Sequence, residues 1–148
     1  MAAIRIHTRL RHLKLLTRIT WISAEGMGAI ADLDRRPAFC GLEAMAQLAA
    51  LHVRHGIRFR SHAFLLKVTR GQWPHQNALQ GCYRLTAERC GQSNHGFAYR
   101  VRAQGPGAGV LDAELLIGTR PYDHQFREDI LEAHYRNVFN RLHSSNDR

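Results

Sequence analysis

An α+β fold, with an antiparallel sheet wrapped around a long central helix and a C-terminal amphipathic helix appended, follows from three features of this 148-residue sequence. Residues 41–51 are apolar or glycine at every position except Glu43 and Gln47, and a helix that is apolar nearly all round belongs in an interior. Strand-like segments flank that helix, two before it and four after it. A 3.6-residue stripe of apolar side chains then occupies the last thirty residues. A helix that needs partners on nearly every side finds them in a sheet that curls around it.

Residues 13–23 are rich in apolar and β-branched side chains and predict a strand. Glu25-Gly26 marks a turn, and residues 27–33 predict a shorter second strand. Residues 34–39 form a connector in which Pro37 interrupts regular structure. In the helix, Leu42, Met45, Ala46, Ala49 and Val53 share one face. Gly56 is placed to stop it, with His52, Arg54 and His55 in a solvated last turn where positive charge is favourable. Residues 63–70, 79–90, 97–104 and 110–119 predict four further strands. Gly91 to Gly96 and Gly105 to Gly109 supply the turns between the last three. Phe126, Ile130, Leu131, His134, Val138, Phe139 and Leu142 trace one face of the final helix, with Asp123 as its N-cap and Glu132–Arg136 as an i, i+4 pair. The expected organisation is a single domain, its core at about 10–120 and its last helix at about 123–143.

Composition narrows the function classes. Hydrophobic content of 45% and charged content of 22% are ordinary for a globular protein. No apolar run approaches the roughly 20 residues that span a bilayer, and no apolar segment follows the N-terminal arginines as in a secretory signal. Cys40, Cys82 and Cys90 fit no zinc or redox spacing, so reduced thiols in the cytoplasm are expected. The net charge of +9 attracts acidic partners. Nucleic acid is one such class, but no helix-turn-helix, RNA-binding or zinc-finger pattern supports it. His52-x-x-His55 lacks the glutamate and third ligand of a zinc site, so no metal is expected.

Glu43 carries the chemistry. A carboxylate in an apolar helix is costly unless paired or protonated, and burial favours the acid form, which can donate a proton. The bland alternative is an acidic residue placed in the first helical turn to meet the helix dipole.

The run Gly41-Leu42-Glu43-Ala44-Met45-Ala46-Gln47 resembles the central-helix motif of the hotdog-fold 3-hydroxyacyl-carrier-protein dehydratases. It is most similar to the divergent members found in aryl-polyene and other pigment clusters. Ala63-Phe64-Leu65-Leu66 resembles the strand that follows the helix there. The resemblance spans roughly residues 10–120. It implies a hotdog fold paired into a dimer, with sites at the subunit interface beside an acyl tunnel and no cofactor. It also implies dehydration of a 3-hydroxyacyl thioester, delivered by an acidic acyl carrier protein, to the trans-2-enoyl product in fatty-acid or polyene-type synthesis. By that match Glu43 is the catalytic acid, Gln47 helps to fix it, and Gln47, Phe64 and Met45 contact the substrate. One departure stands out: residues 29–39, where such enzymes carry their histidine, contain none. The base then falls to His12, His75 or His62, or else the chain is a non-catalytic partner of a complete hotdog subunit. A hotdog thioesterase, in which the helix carboxylate activates water, is a further alternative.

Overall fold

The computed structural model describes residues 15–72, 78–107 and 109–144. Strands β1 (Leu16–Ile22) and β2 (Gly26–Asp32) precede helix α1 (Ala38–Gly56). Strands β3 (His62–Gln72), β4 (Cys82–Gln92), β5 (Gly96–Gln104) and β6 (Val110–Arg120) follow, and helix α2 (Glu128–Ser144) comes last. The six strands form one antiparallel sheet in the order β1-β2-β4-β5-β6-β3. Helix α1 packs against every one of them.

Period-2 alternation makes the inner face of the sheet. Ala29, Leu85, Ala103 and Leu111 stand in one cross-strand row, and Met27, Ala87, Val101 and Ala113 in the next. All eight are buried. Small side chains among larger ones let the helix lie close: a Cβ on Gly41 would run into Leu111 Cδ1. Register shifts interrupt β1, β3 and the far end of the β4–β5 ladder. Such irregularities increase local twist and let a sheet bend around its contents.

The boundaries differ from the sequence reading where tertiary pairing intervenes. Residue Leu79 was expected inside β4. It instead exchanges backbone hydrogen bonds with Arg35 and Arg36 and drops its side chain into the core. Gly81, at φ +77, then turns the chain into the strand. At the end of α1 the left-handed residues are Arg58 and Phe59 rather than Gly56; Phe59 N donates to Arg54 O at 2.8 Å and closes the turn. Asp123 does not cap α2. Its Oδ1 accepts from the backbone N–H of Gln125 and Phe126, which makes a turn before a helix that begins at Glu128. Ile130, expected on the inner stripe, is 40% exposed.

The last turns of α1 are solvated only at His55 and Gly56. His52 and Arg54 are buried. His52 Nε2 lies 2.8 Å from Ser23 O, which can only accept, so Nε2 carries the proton and Nδ1 accepts the Tyr99 hydroxyl at 2.6 Å. This chain of bonds joins α1, β5 and the β1–β2 turn. Burial and the nearby Arg89 hold the imidazole below its ordinary pKa, and burial raises that of the Tyr99 phenol. Both nitrogens are thus engaged in structure. Tyr99→Phe strips the buried Nδ1 of its donor and is expected to lower stability by about 1–3 kcal/mol, measured as a shift of the urea midpoint at unchanged slope.

Candidate functional site

Glu43, Gln47, Ala50 and Arg54 succeed one another at four-, three- and four-residue steps, so they lie along one edge of α1. Opposite it run His134, Tyr135, Val138, Arg141 and Leu142 of α2, at the same helical spacing. Leu16 of β1 and Ala63, Phe64 and Leu65 of β3 close the sides. Between the two helices lies a cavity of about 200 Å³, lined mostly by carbon. Glu43 is half-buried in its wall rather than fully enclosed. The first-turn reading does not hold, because α1 begins five residues earlier and its first turn contains no acidic residue.

Three of the residues singled out from the sequence therefore line one cavity: Glu43, Gln47 and Phe64. Met45 does not. It points to the sheet side of α1 and is wholly buried in the core, because a two-residue offset from Glu43 turns a helical side chain to a different face. His12 and His75 lie outside the described residues. His62 opens β3 but does not line the cavity; it stacks on Phe126 with ring centroids 4.6 Å apart. The histidine that does line the cavity is His134, from the helix farthest from Glu43 in sequence.

Arg54 is the least expected member. The residue is 2% exposed. Nη2 donates to Ala63 O at 2.6 Å and lies 3.2 Å from His62 Nδ1, and the Tyr135 ring covers the group at 3.5 Å. Nη1 has no hydrogen-bond partner among the described residues. Burial depresses its pKa. The one sequence signal for its place was its register with Glu43 and Gln47: three polar residues on one edge of the helix. His134 was legible as a member of the inner stripe of α2. The cavity they share was not, because α1 and α2 are separated by the whole of the sheet in sequence.

Helix α2 is held over the cavity by contacts at the end of α1. Phe139 lies between His55 and His143, at 4.6 and 5.5 Å. Arg136 donates to Arg58 O at 2.9 Å while pairing with Glu132 at 3.0 Å. Tyr122 OH donates to Phe59 O at 2.9 Å. No helix among the described residues is long and apolar enough to cross a membrane.

The architecture is the hotdog fold. The chain is similar to a thioesterase, PA1618, from Pseudomonas aeruginosa, solved as a mutant (14% identity over 75% of this chain and 84% of that one, TM-score 0.61). It is also similar to a chain of the dehydratase heterocomplex ApeI:P from Xenorhabdus doucetiae (13% identity, 77% and 86% covered, TM-score 0.62). A third similar structure is the thioesterase HI1161 from Haemophilus influenzae (9% identity, 78% and 85% covered, TM-score 0.62). No protein-family model and no curated protein matches the chain. At these identities the likeness defines a shared fold, on which both dehydration and thioester hydrolysis occur among the neighbours.

Burial, then the charges of Arg54 and Arg120, hold the His62 imidazole down to a pKa of about 4. An unfolded histidine titrates near 6.5. Between those values the unfolded chain binds the additional proton, so stability falls as pH drops below about 6.5 and this contribution is lost by about 4. Urea midpoints measured from pH 7 to pH 4 are expected to decline, and to decline less in His62→Gln, which keeps an acceptor near Arg54 but does not titrate.

Proposed function

We propose that this protein acts on acyl thioesters, as a dehydratase or dehydratase-like subunit that converts a carrier-bound 3-hydroxyacyl chain to the trans-2-enoyl thioester. The observation that carries the reading is the position of Glu43: a carboxyl group on the central helix, in the wall of a mostly apolar cavity, with Gln47 one turn on and His134 on the facing helix. An acyl chain lies along the carbon-lined cavity and brings its 3-hydroxyl to Glu43. A histidine base, His12 or His75 of this chain or one supplied by a second subunit, takes the C2 proton, the electron pair forms the C2–C3 double bond, and the 3-hydroxyl leaves as water with the proton of Glu43. Return of a proton to Glu43 resets the site. His134 adjoins Tyr135, which covers Arg54 at the other end of the wall, and is not assigned this role.

One observation favours a second reading. Glu43 is only half-buried, and a carboxylate that meets water on the wall of an acyl site suits hydrolysis of the thioester.

The partners follow from surface and charge. Strand β3 is an edge of the sheet, and it exposes Leu65, Leu66 and Val68. An exposed apolar edge strand is a template for pairing, which supports a second hotdog subunit, identical or not, continuing the sheet. The net charge of +9 suits an acidic carrier protein. Leu66→Lys is expected to shift the protein toward monomer in sedimentation velocity. Glu43→Gln is expected to reduce formation of the enoyl thioester by about 10²–10⁴-fold with the unfolding midpoint unchanged. Turnover unaffected by that substitution defeats the assignment, whereas release of free thiol without enoyl product selects the hydrolase.

A further inference from the structure

We infer that the Arg54 end of the cavity is a carboxylate subsite, and that the acyl chain bound there ends in a carboxylate remote from the thioester. The inference deepens the thioester reading and rests on it for which end of the chain reacts.

Among the described residues, no anion faces the buried guanidinium of Arg54. Arg54 is 2% exposed and forms no ion pair among the described residues. Its polar contacts are a backbone carbonyl, a neutral imidazole and the face of a tyrosine ring. The proton-free Nδ1 of His62 accepts from Nη2 and offers no negative charge. Nη1 has no hydrogen-bond partner among the described residues. A buried cation in this state is costly unless a counter-charge arrives, and the group lines the same cavity as Glu43.

Geometry separates the two ends. Glu43 and Arg54 are eleven residues apart on one helix edge, or about 16 Å at 1.5 Å per residue. The wall between them is Ala46, Ala50 and Leu51 on α1, with Val138 from α2. An apolar chain with a charge at its far end matches this sequence of surfaces. Two arginines line the cavity: Arg141 of α2 is exposed and its charge is screened by water, whereas Arg54 is buried, so the terminal charge of the chain gains most at Arg54. Carboxylate fits better than phosphate, because the guanidinium offers a single free nitrogen in a narrow space and a dianion needs more donors than that.

Binding tests this without any assumption about turnover. In titration calorimetry with the full chain, octanoate is expected to bind at least about tenfold more tightly than octanamide, the margin of one charge-assisted hydrogen bond. Arg54→Met is expected to reduce octanoate to the level of octanamide and leave octanamide unchanged. Arg54→Lys keeps the charge and is expected to keep a preference for octanoate, and it serves if the methionine variant does not fold. Equal binding of octanoate and octanamide by the wild-type protein, or discrimination that survives in Arg54→Met, overturns the subsite. Tight binding of methyl phosphate in place of octanoate also overturns it. A second arm compares N-acetylcysteamine thioesters of 3-hydroxyoctanedioate and 3-hydroxyoctanoate, with the former expected at the lower KM. If neither thioester reacts while the calorimetric preference stands, the subsite survives and the proposed chemistry does not.

Discussion

The structure depends on how α1 is covered. A helix with so few polar positions loses stability wherever water reaches it, at roughly 25 cal/mol for each Å² of apolar surface. One flat sheet covers one side of a helix. Here six strands touch it, because bulged, twisted edges bring β1 and β3 around its flanks. The side still open is closed by α2. The polar residues Glu43, Gln47 and Arg54 line that last side. The cavity forms where the covering is least complete, and the groups able to do chemistry are the ones that line it.

The end of α1 holds two buried polar side chains that differ in how well they are matched. His52 has both ring nitrogens paired, at 2.6 and 2.8 Å, and its surroundings are packed. A fully matched polar network of this kind ties elements together and has no capacity left for a ligand. Arg54, two residues on, lines the cavity and has one nitrogen without a hydrogen-bond partner among the described residues. The difference of two positions, about 200° around the helix, separates a structural bond from a candidate binding group.

The outer face of the sheet shows why the positive net charge does not by itself indicate nucleic acid. Glu88, Arg100, Glu114 and Arg70 stand in one cross-strand row of alternating sign. In the next row Arg102 lies opposite Asp112. Alternation of this sort stabilises neighbouring strands and breaks up the continuous positive stripe that a phosphate backbone requires.

Local pattern determined the number, type and order of elements, because period-2 and period-3.6 hydrophobicity are properties of short segments. It also singled out Glu43, since a lone acid among alanines is visible without coordinates. Residues whose role comes from distant neighbours were not legible. His52 and Arg54 read as a charged, solvated helix end, until Tyr99, Tyr135 and the β1–β2 turn closed over them. Met45 read as part of the site because it adjoins Glu43 in the motif, yet helical geometry turns it into the core. Whether α2 would lie beside α1, and so bring His134 to the wall that holds Glu43, depended on side-chain packing across more than seventy intervening residues. Hydrophobic periodicity states which face of each helix must be buried; only the tertiary structure decides which two faces meet, because that choice is made by shape and not by period.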